Sequence, residues 1–407
     1  MKMSAGRIRN WCDRLRSVLA QRRNTLRSHV RAPVASISPA LSAGGHVRHV
    51  RHVLTPTKPG LRPHLSGMAR VGLLALGLAG GAGLSGGGFI LPAHARPVTI
   101  PDKPRQIEVF ARPITAFRPG EDTGTFGQLT FLGGLILTSN DPVFGGISGF
   151  QLAQQDNSFL AVTDKGTLLS GRLDVDGERP VGLSNVLADA LKDEKGRPLA
   201  RRGRGDAESI TLSPDAVYIG LERINEIWRY PRPPMGRNGT QVKVPQGVRK
   251  LRNNLGLESL VYVPSGPLKG ALIGIGEDGL KDGGDLPGFI IGGPTPGSFT
   301  IAKSSHFNAT DAALGPDGEL FLLERHFSWF TGVLMQLRRF RLEDIRPGAV
   351  LSGEILGTFN NTHEIDNMEG MSITIGADGR TLLTLISDDN FSPIQRTLLL
   401  RFALPSR

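Results

Sequence analysis

Five segments of this 407-residue chain repeat one plan: a small or acidic residue, an apolar strand, a Gly/Pro/Asp turn, a second apolar strand and a closing acid. They are GISGFQLAQQDNSFLAVTD (146–164), DAESITLSPDAVYIGLE (206–222), GLESLVYVPSGPLKGALIGIGE (256–277), ATDAALGPDGELFLLE (309–324) and NMEGMSITIGADGRTLLTLISD (367–388). Their third residues are Ser148, Glu208, Glu258, Asp311 and Glu369, spaced by 60, 50, 53 and 58 positions. A hairpin repeated at about 50 residues is the mark of propeller blades rather than of a sandwich. The turns SPDA, GPDG and GADG put Pro, Asp and Gly where tight connections want them. Outer strands are expected at EIWRYP (226–231) and LMQLRRFRL (334–342), and a further strand pair at FGQLTFLGGLILT (126–138). Five visible units plus one closed from the two chain ends predict an all-β propeller of six blades, with seven as the neighbouring count.

The repeat also predicts where the acids go. The innermost strand of a blade borders the central channel, so a polar residue recurring at its start faces one place in every unit. Glu208, Glu258, Asp311 and Glu369, with Ser148, are expected to ring one end of the channel. The closing acids Asp164, Glu222, Glu277, Glu324 and Asp388 should lie near the same mouth. In LISDDNFSPIQRTLLLRF (385–402), charged and amide groups crowd between two apolar runs, as one wall of such a site would. For each acid a second reading stands, a turn hydrogen bond that braces neighbouring blades.

Charge is unevenly spread. The formal net charge is +11, yet residues 1–67 hold 13 Lys and Arg against the single acid Asp13. Residues 96–407 hold 34 basic and 36 acidic side chains, which argues against nucleic-acid binding by the folded part. Residues 1–67 thus read as a disordered basic leader or an over-extended start. Residues 68–95 read as a signal peptide, with Arg70, an uncharged run Val71–Leu91 and the small-x-small site Ala93-His94-Ala95. Retained, the same run is long enough to anchor the chain in a membrane. The expected location is therefore periplasmic or secreted, with membrane attachment only through residues 71–91. Residues 96–407 form the propeller domain, expected to be a monomer. The one cysteine, Cys12, lies in the leader, so the domain lacks disulfides and thiolate metal sites.

Several motifs resemble the bacterial phytase-like family named for esterase-like activity of phytase. They are GGISGF (145–150), DAESI (206–210) with LER (221–223), NNLGLESL (253–260), TDAALGPDGELFLLERHFS (310–328), NMEGM (367–371) and ISDDNFSPIQRTLLLRF (386–402). The resemblance runs from about residue 105 to the C-terminus and implies a β-propeller, export, and hydrolysis of phosphate or carboxylic esters. Similarity to the calcium-dependent phytases implies carboxylates that hold Ca²⁺. Hard oxygen donors suit Ca²⁺, or Mg²⁺, and no organic cofactor is expected.

The expected metal ligands are Glu208, Glu258, Asp311 and Glu369. Asp388, Asp389, Arg396 and His326 are the candidate catalytic groups, His326 as general base. Arg223, Arg325, Asn390 and Gln395 are the candidate contacts to a small-molecule ester or phosphoester. Each arginine has the alternative of simply pairing with its neighbouring carboxylates. The loop GEDGLKDGGDLPG (276–288) offers Asp278, Asp282 and Asp285, but not at the spacing of an EF-hand. The one G-x-S-x-G match, Gly83 to Gly87, lies in the signal segment and has no strand-turn-helix context. Two alternatives to ester hydrolysis stand: a binding propeller with a structural cation, and a calcium-dependent lactonase.

Overall fold

The computed structural model describes residues 100–405, except 122–123, 253–254 and 282. The basic leader and the segment 68–95 lie outside the described residues.

Each repeat is the inner half of an antiparallel sheet, and the sheets number five rather than six. The first runs from the inner strand Ile147–Leu152 through Ser158–Thr163, Thr167–Asp176 and Arg179–Ala190, with Arg105–Gln106 at its edge. The second comprises Ala207–Leu212, Ala216–Leu221, Glu226–Pro231 and Thr240–Val242. Leu257–Tyr262, Leu272–Gly276, Leu286–Ile291 and Gly297–Ile301 make the third, with Val350–Leu351 added in parallel. The fourth holds Asn308–Leu314, Glu319–Ser328, Gly332–Arg341 and Glu354–Phe359.

The fifth sheet explains the corrected count. Its inner strands Asn367–Ile375, Thr381–Asp388 and Thr397–Ala403 come from the C-terminus, and its outer strands Leu129–Thr138 and Phe110–Ile114 from the N-terminal side. The early strand region at 126–138 therefore completes the fifth hairpin instead of building a blade of its own. Thr397–Ala403 pairs with Leu129–Thr138 on one side and Thr381–Asp388 on the other, which closes the ring.

Five apolar clusters fill the five gaps between neighbouring blades. Because side chains alternate along a strand, one strand serves two gaps. Leu398, Leu400 and Phe402 face the fourth blade, while Leu399 faces the first. This is why such strands read as mostly apolar runs without alternation: Thr397–Ala403 is buried at every position, including Thr397 and Arg401. Leu399→Ala is expected to cost about 2–5 kcal/mol in urea unfolding with an unchanged slope, whereas Val350→Ala should stay within about 0.5 kcal/mol. Equal small effects at both sites would mean that the closing strand is dispensable.

Candidate functional site

The ladder inside each inner hairpin skips one residue near the start of the innermost strand. The skipped residues are Ser148, Glu208, Glu258, Thr310 and Glu369. A β-bulge of this kind bends the strand and re-aims a side chain. Just past it, the second strand brings in Asp164, Glu222, Glu277, Arg325 and Asp388 at matching positions. Ten equivalent positions thus hold seven carboxyls, two hydroxyls and one guanidinium.

The two hydroxyls latch blades together. Ser148 Oγ donates to the Ala207 carbonyl at 2.7 Å and Thr310 Oγ1 to the Met368 carbonyl at 3.0 Å, in each case one residue before the next blade's bulge. The carboxyls instead crowd one another at the channel mouth. Burial pushes Glu208 and Glu258 well above the usual carboxylate range, and neighbouring charges add to it. For Glu208 these are Glu369, Asp206, Glu222 and Asp164; for Glu258 they are Glu277, Glu208, Glu222 and Glu369. Burial likewise raises Glu222 and Asp164, brings Glu277 to about 7, and, with the Glu369 charge, brings Asp388 to about 9. Arg325 reaches across the blades, 3.3 Å from Glu369 and 3.8 Å from Glu277, and also meets Asn367.

Two triads are compact enough to hold a cation. Asp206, Glu208 and Glu222 each place a carboxylate oxygen within 4.8 Å of the others, and so do Glu222, Glu258 and Glu277. Glu222 is common to both. The donor set is carboxylate only, and Arg325 with Lys165 on Asp164 cannot neutralise seven carboxyls, so these residues fit a hard divalent cation such as Ca²⁺ or Mg²⁺.

The remaining expectations divide. Glu208, Glu258, Glu369, Asp388 and Arg325 meet as anticipated. Asp311 does not join them, because the fourth repeat is offset by one residue and Thr310 occupies the bulge. A one-residue slip turns a side chain to the other face. Asp311 instead accepts from Met371 N at 2.7 Å and Ala312 N at 2.8 Å, bracing the fourth blade to the fifth. Glu324 is displaced in the same way and is gripped by Arg338 at 2.6 and 2.7 Å, fully buried.

Asp389 accepts from Gly146 N, Phe391 N and Thr397 Oγ1, tying the fifth blade to the first. Arg396 pairs with Glu364 at 2.7 Å and Asp366 at 3.6 Å and secures the loop before the last inner strand. Asn390 is an exposed turn residue at φ 49°, and its N–H donates to Asp388; Gln395 lies half-buried further along the same loop. His326 packs against His306, tilted, and against Phe307, edge to face, with ring centroids at 5.6 and 6.2 Å. Arg223 stands at the rim, 3.4 Å from Asp206, beside a cavity of about 350 Å³ that Asp164, Lys165, Arg201 and Ile100 also line. In the loop at 276–288, Asp278 is engaged by Lys303 and Arg252, and Asp285 accepts from Lys303 N. Asp282 lies outside the described residues.

Asp206 is the ligand candidate that repeat matching missed. It sits two residues before the bulge, where the other blades have Gly146, Gly256, Asn308 and Asn367, so no acidic pattern marks it.

A family model described as Phytase-like, esterase-like activity of phytase, matches residues 142–391. Glutaminyl cyclase from Myxococcus xanthus is similar in structure, with 13% identity, 64% of this chain and 92% of that chain covered, and a TM-score of 0.35. An α-L-arabinofuranosidase from Podospora anserina shows 14% identity, coverage of 70% and 99%, and a TM-score of 0.39. A putative gluconolactonase shows 11% identity, coverage of 76% and 97%, and a TM-score of 0.35. No curated protein sequence matches this chain.

Two measurements separate the mouth from its supports. Burial keeps protons on Glu277 and Asp388 that the unfolded chain releases at the ordinary carboxylate range. Stability of the cation-free protein is therefore full below that range and is lost as pH rises through about 7 and about 9. Melting in chelator should fall across this window, and added Ca²⁺ should restore most at its alkaline end; a flat profile would refute the charge crowding. Separately, Glu324→Ala should cost roughly 3–5 kcal/mol by stranding buried Arg338, yet keep the Ca²⁺-dependent gain in melting temperature. Glu222→Gln should diminish that gain.

Proposed function

The chain belongs to the phytase-like family, esterase-like activity of phytase, and from that premise we propose that it is an exported, cation-assisted hydrolase of phosphate or carboxylic esters. One observation carries the reading: two carboxylate triads share Glu222 at a mouth that Arg325 crosses. Asp206, Glu208, Glu222, Glu258 and Glu277 are the residues that would hold the cation. A divalent cation bound there supplies Lewis acidity toward an ester oxygen and makes water a better nucleophile.

The chain's own groups do the rest. Arg325 offers its guanidinium to an anionic group, held in aim by Glu369 and Glu277. Asp388 hydrogen-bonds with Glu369 and keeps its proton to about pH 9, so it is placed to protonate a leaving oxygen. His326 has no part in this scheme, because its ring packs on His306 and Phe307. The signal-like segment 68–95 supports a periplasmic or secreted location.

Turnover of phytate, nitrophenyl phosphate, nitrophenyl carboxylates and lactones by the full-length protein, with Ca²⁺ and with chelator, tests this. Glu222→Gln and Asp388→Asn should each lower kcat/KM on the order of a hundredfold, while His326→Ala should stay within about twofold. Ca²⁺-dependent melting with no turnover of any ester would replace the proposal with a binding propeller that carries a structural cation. Preference for lactones would move it to the lactonase type.

A further inference from the structure

The aromatic side chains of the fourth blade stand apart from the rest of the surface. Its second strand, Glu319–Ser328, continues three residues past Arg325 before turning, about 10 Å beyond the mouth at strand rise. In the other blades the second strand ends at or next to the mouth position, at Thr163, Leu221, Gly276 and Asp388. The extended tip carries Phe327 (54% exposed), Trp329 (92%) and Phe330 (101%). Phe327 and Trp329 touch edge to face at 5.7 Å. Leu280 (60%) and Ile394 (89%) lie on the matching loops of the third and fifth blades. Half of the large apolar side chains left exposed among the described residues therefore rise from one face, around one mouth.

We propose that this face docks on a lipid interface, with the Phe327–Trp329–Phe330 tip inserted and the acid-lined mouth turned toward the lipid. A small molecule calls for a concave site, whereas this tip is convex and fully presented. Exposed Trp and Phe on a projecting loop suit the boundary between headgroups and acyl chains. The start of the described chain agrees: Ile100 borders the rim cavity with Asp164 and Asp206, so the preceding chain, whose sequence includes the uncharged run Val71–Leu91, joins the propeller at this end. The excess of carboxyls at the mouth favours a zwitterionic over an anionic surface. If the hydrolase reading holds, on which this consequence rests, the substrate is an amphiphilic ester drawn from the interface.

The test needs no turnover, so its failure and the failure of the hydrolase reading are distinguishable. Full-length protein is titrated with phosphatidylcholine vesicles carrying brominated acyl chains, and Trp fluorescence is followed. Trp329→Phe serves to subtract Trp11 and Trp228. Trp329 should be quenched, and Phe327→Ser with Phe330→Ser should weaken partitioning by about tenfold per phenylalanine without lowering the melting temperature. Vesicle binding with Trp329 unquenched would overturn the proposal. So would a concentration-dependent, lipid-independent burial of Trp329, which would assign the tip to a second copy of the chain.

Discussion

Ring closure in the fifth sheet is the constraint on which the other four blades depend. Thr397–Ala403 sits between a strand from near the C-terminus and one from the N-terminal side, so neither end of the domain can leave without opening the ring. Each blade buries its two faces only against its neighbours, through clusters that span blade pairs. An opened ring would expose two such faces at once, and the closing strand shared by the two ends is buried at every position, Thr397 and Arg401 included. The channel and everything at its mouth inherit their geometry from this closure.

The mouth stands in tension with that stability. Burying several carboxyls together is unfavourable, because each loses hydration and each repels the rest. The fold meets this in two ways. Some carboxyls hold protons, as Asp388 does, and others lie in groups of three spaced for a cation. Acids that brace the fold differ in their neighbours rather than in backbone contacts, which Glu222 and Asp388 also make: no other charge crowds Asp311, and Glu324 receives a bidentate guanidinium. The contrast between satisfied acids and crowded ones separates support from site more sharply than burial does, since both kinds are buried.

Much of this is legible in the sequence because a repeat carries its own geometry. The hairpins, their turns and the outer strands expected at 226–231 and 334–342 lie where the pattern puts them, the second as Gly332–Arg341. The blade count fails because a strand pair at 126–138 looks the same whether it founds a blade or finishes one. The misplacement of Asp311 and Glu324 has one cause. Matching the repeats by their acids slides the fourth by one residue, whereas matching them by the apolar residue before the bulge, Ala309 with Met368, sets Thr310 and Arg325 in register. Acids are the loudest letters in these motifs, and in the fourth blade they are the wrong ones to align. His326 and Arg396 illustrate a different limit. Their neighbours His306, Phe307, Glu364 and Asp366 come from connecting loops that the repeat does not govern.

Symmetry brings the groups together, but the departures from it give the mouth a direction. The cation-sized triads draw only on the second and third blades. Asp388, which holds its proton beside Glu369, belongs to the fifth. Between them stands the fourth blade, which has exchanged both of its acids for Thr310 and Arg325 and alone extends its hairpin into an aromatic tip. A perfectly fivefold mouth would hold acids on all sides and could orient nothing. Under the proposed function, a bound molecule would meet two cation-sized triads, a guanidinium and a protonated carboxyl at three different places around the axis. A mouth so divided can distinguish the attacked end of a substrate from its leaving end.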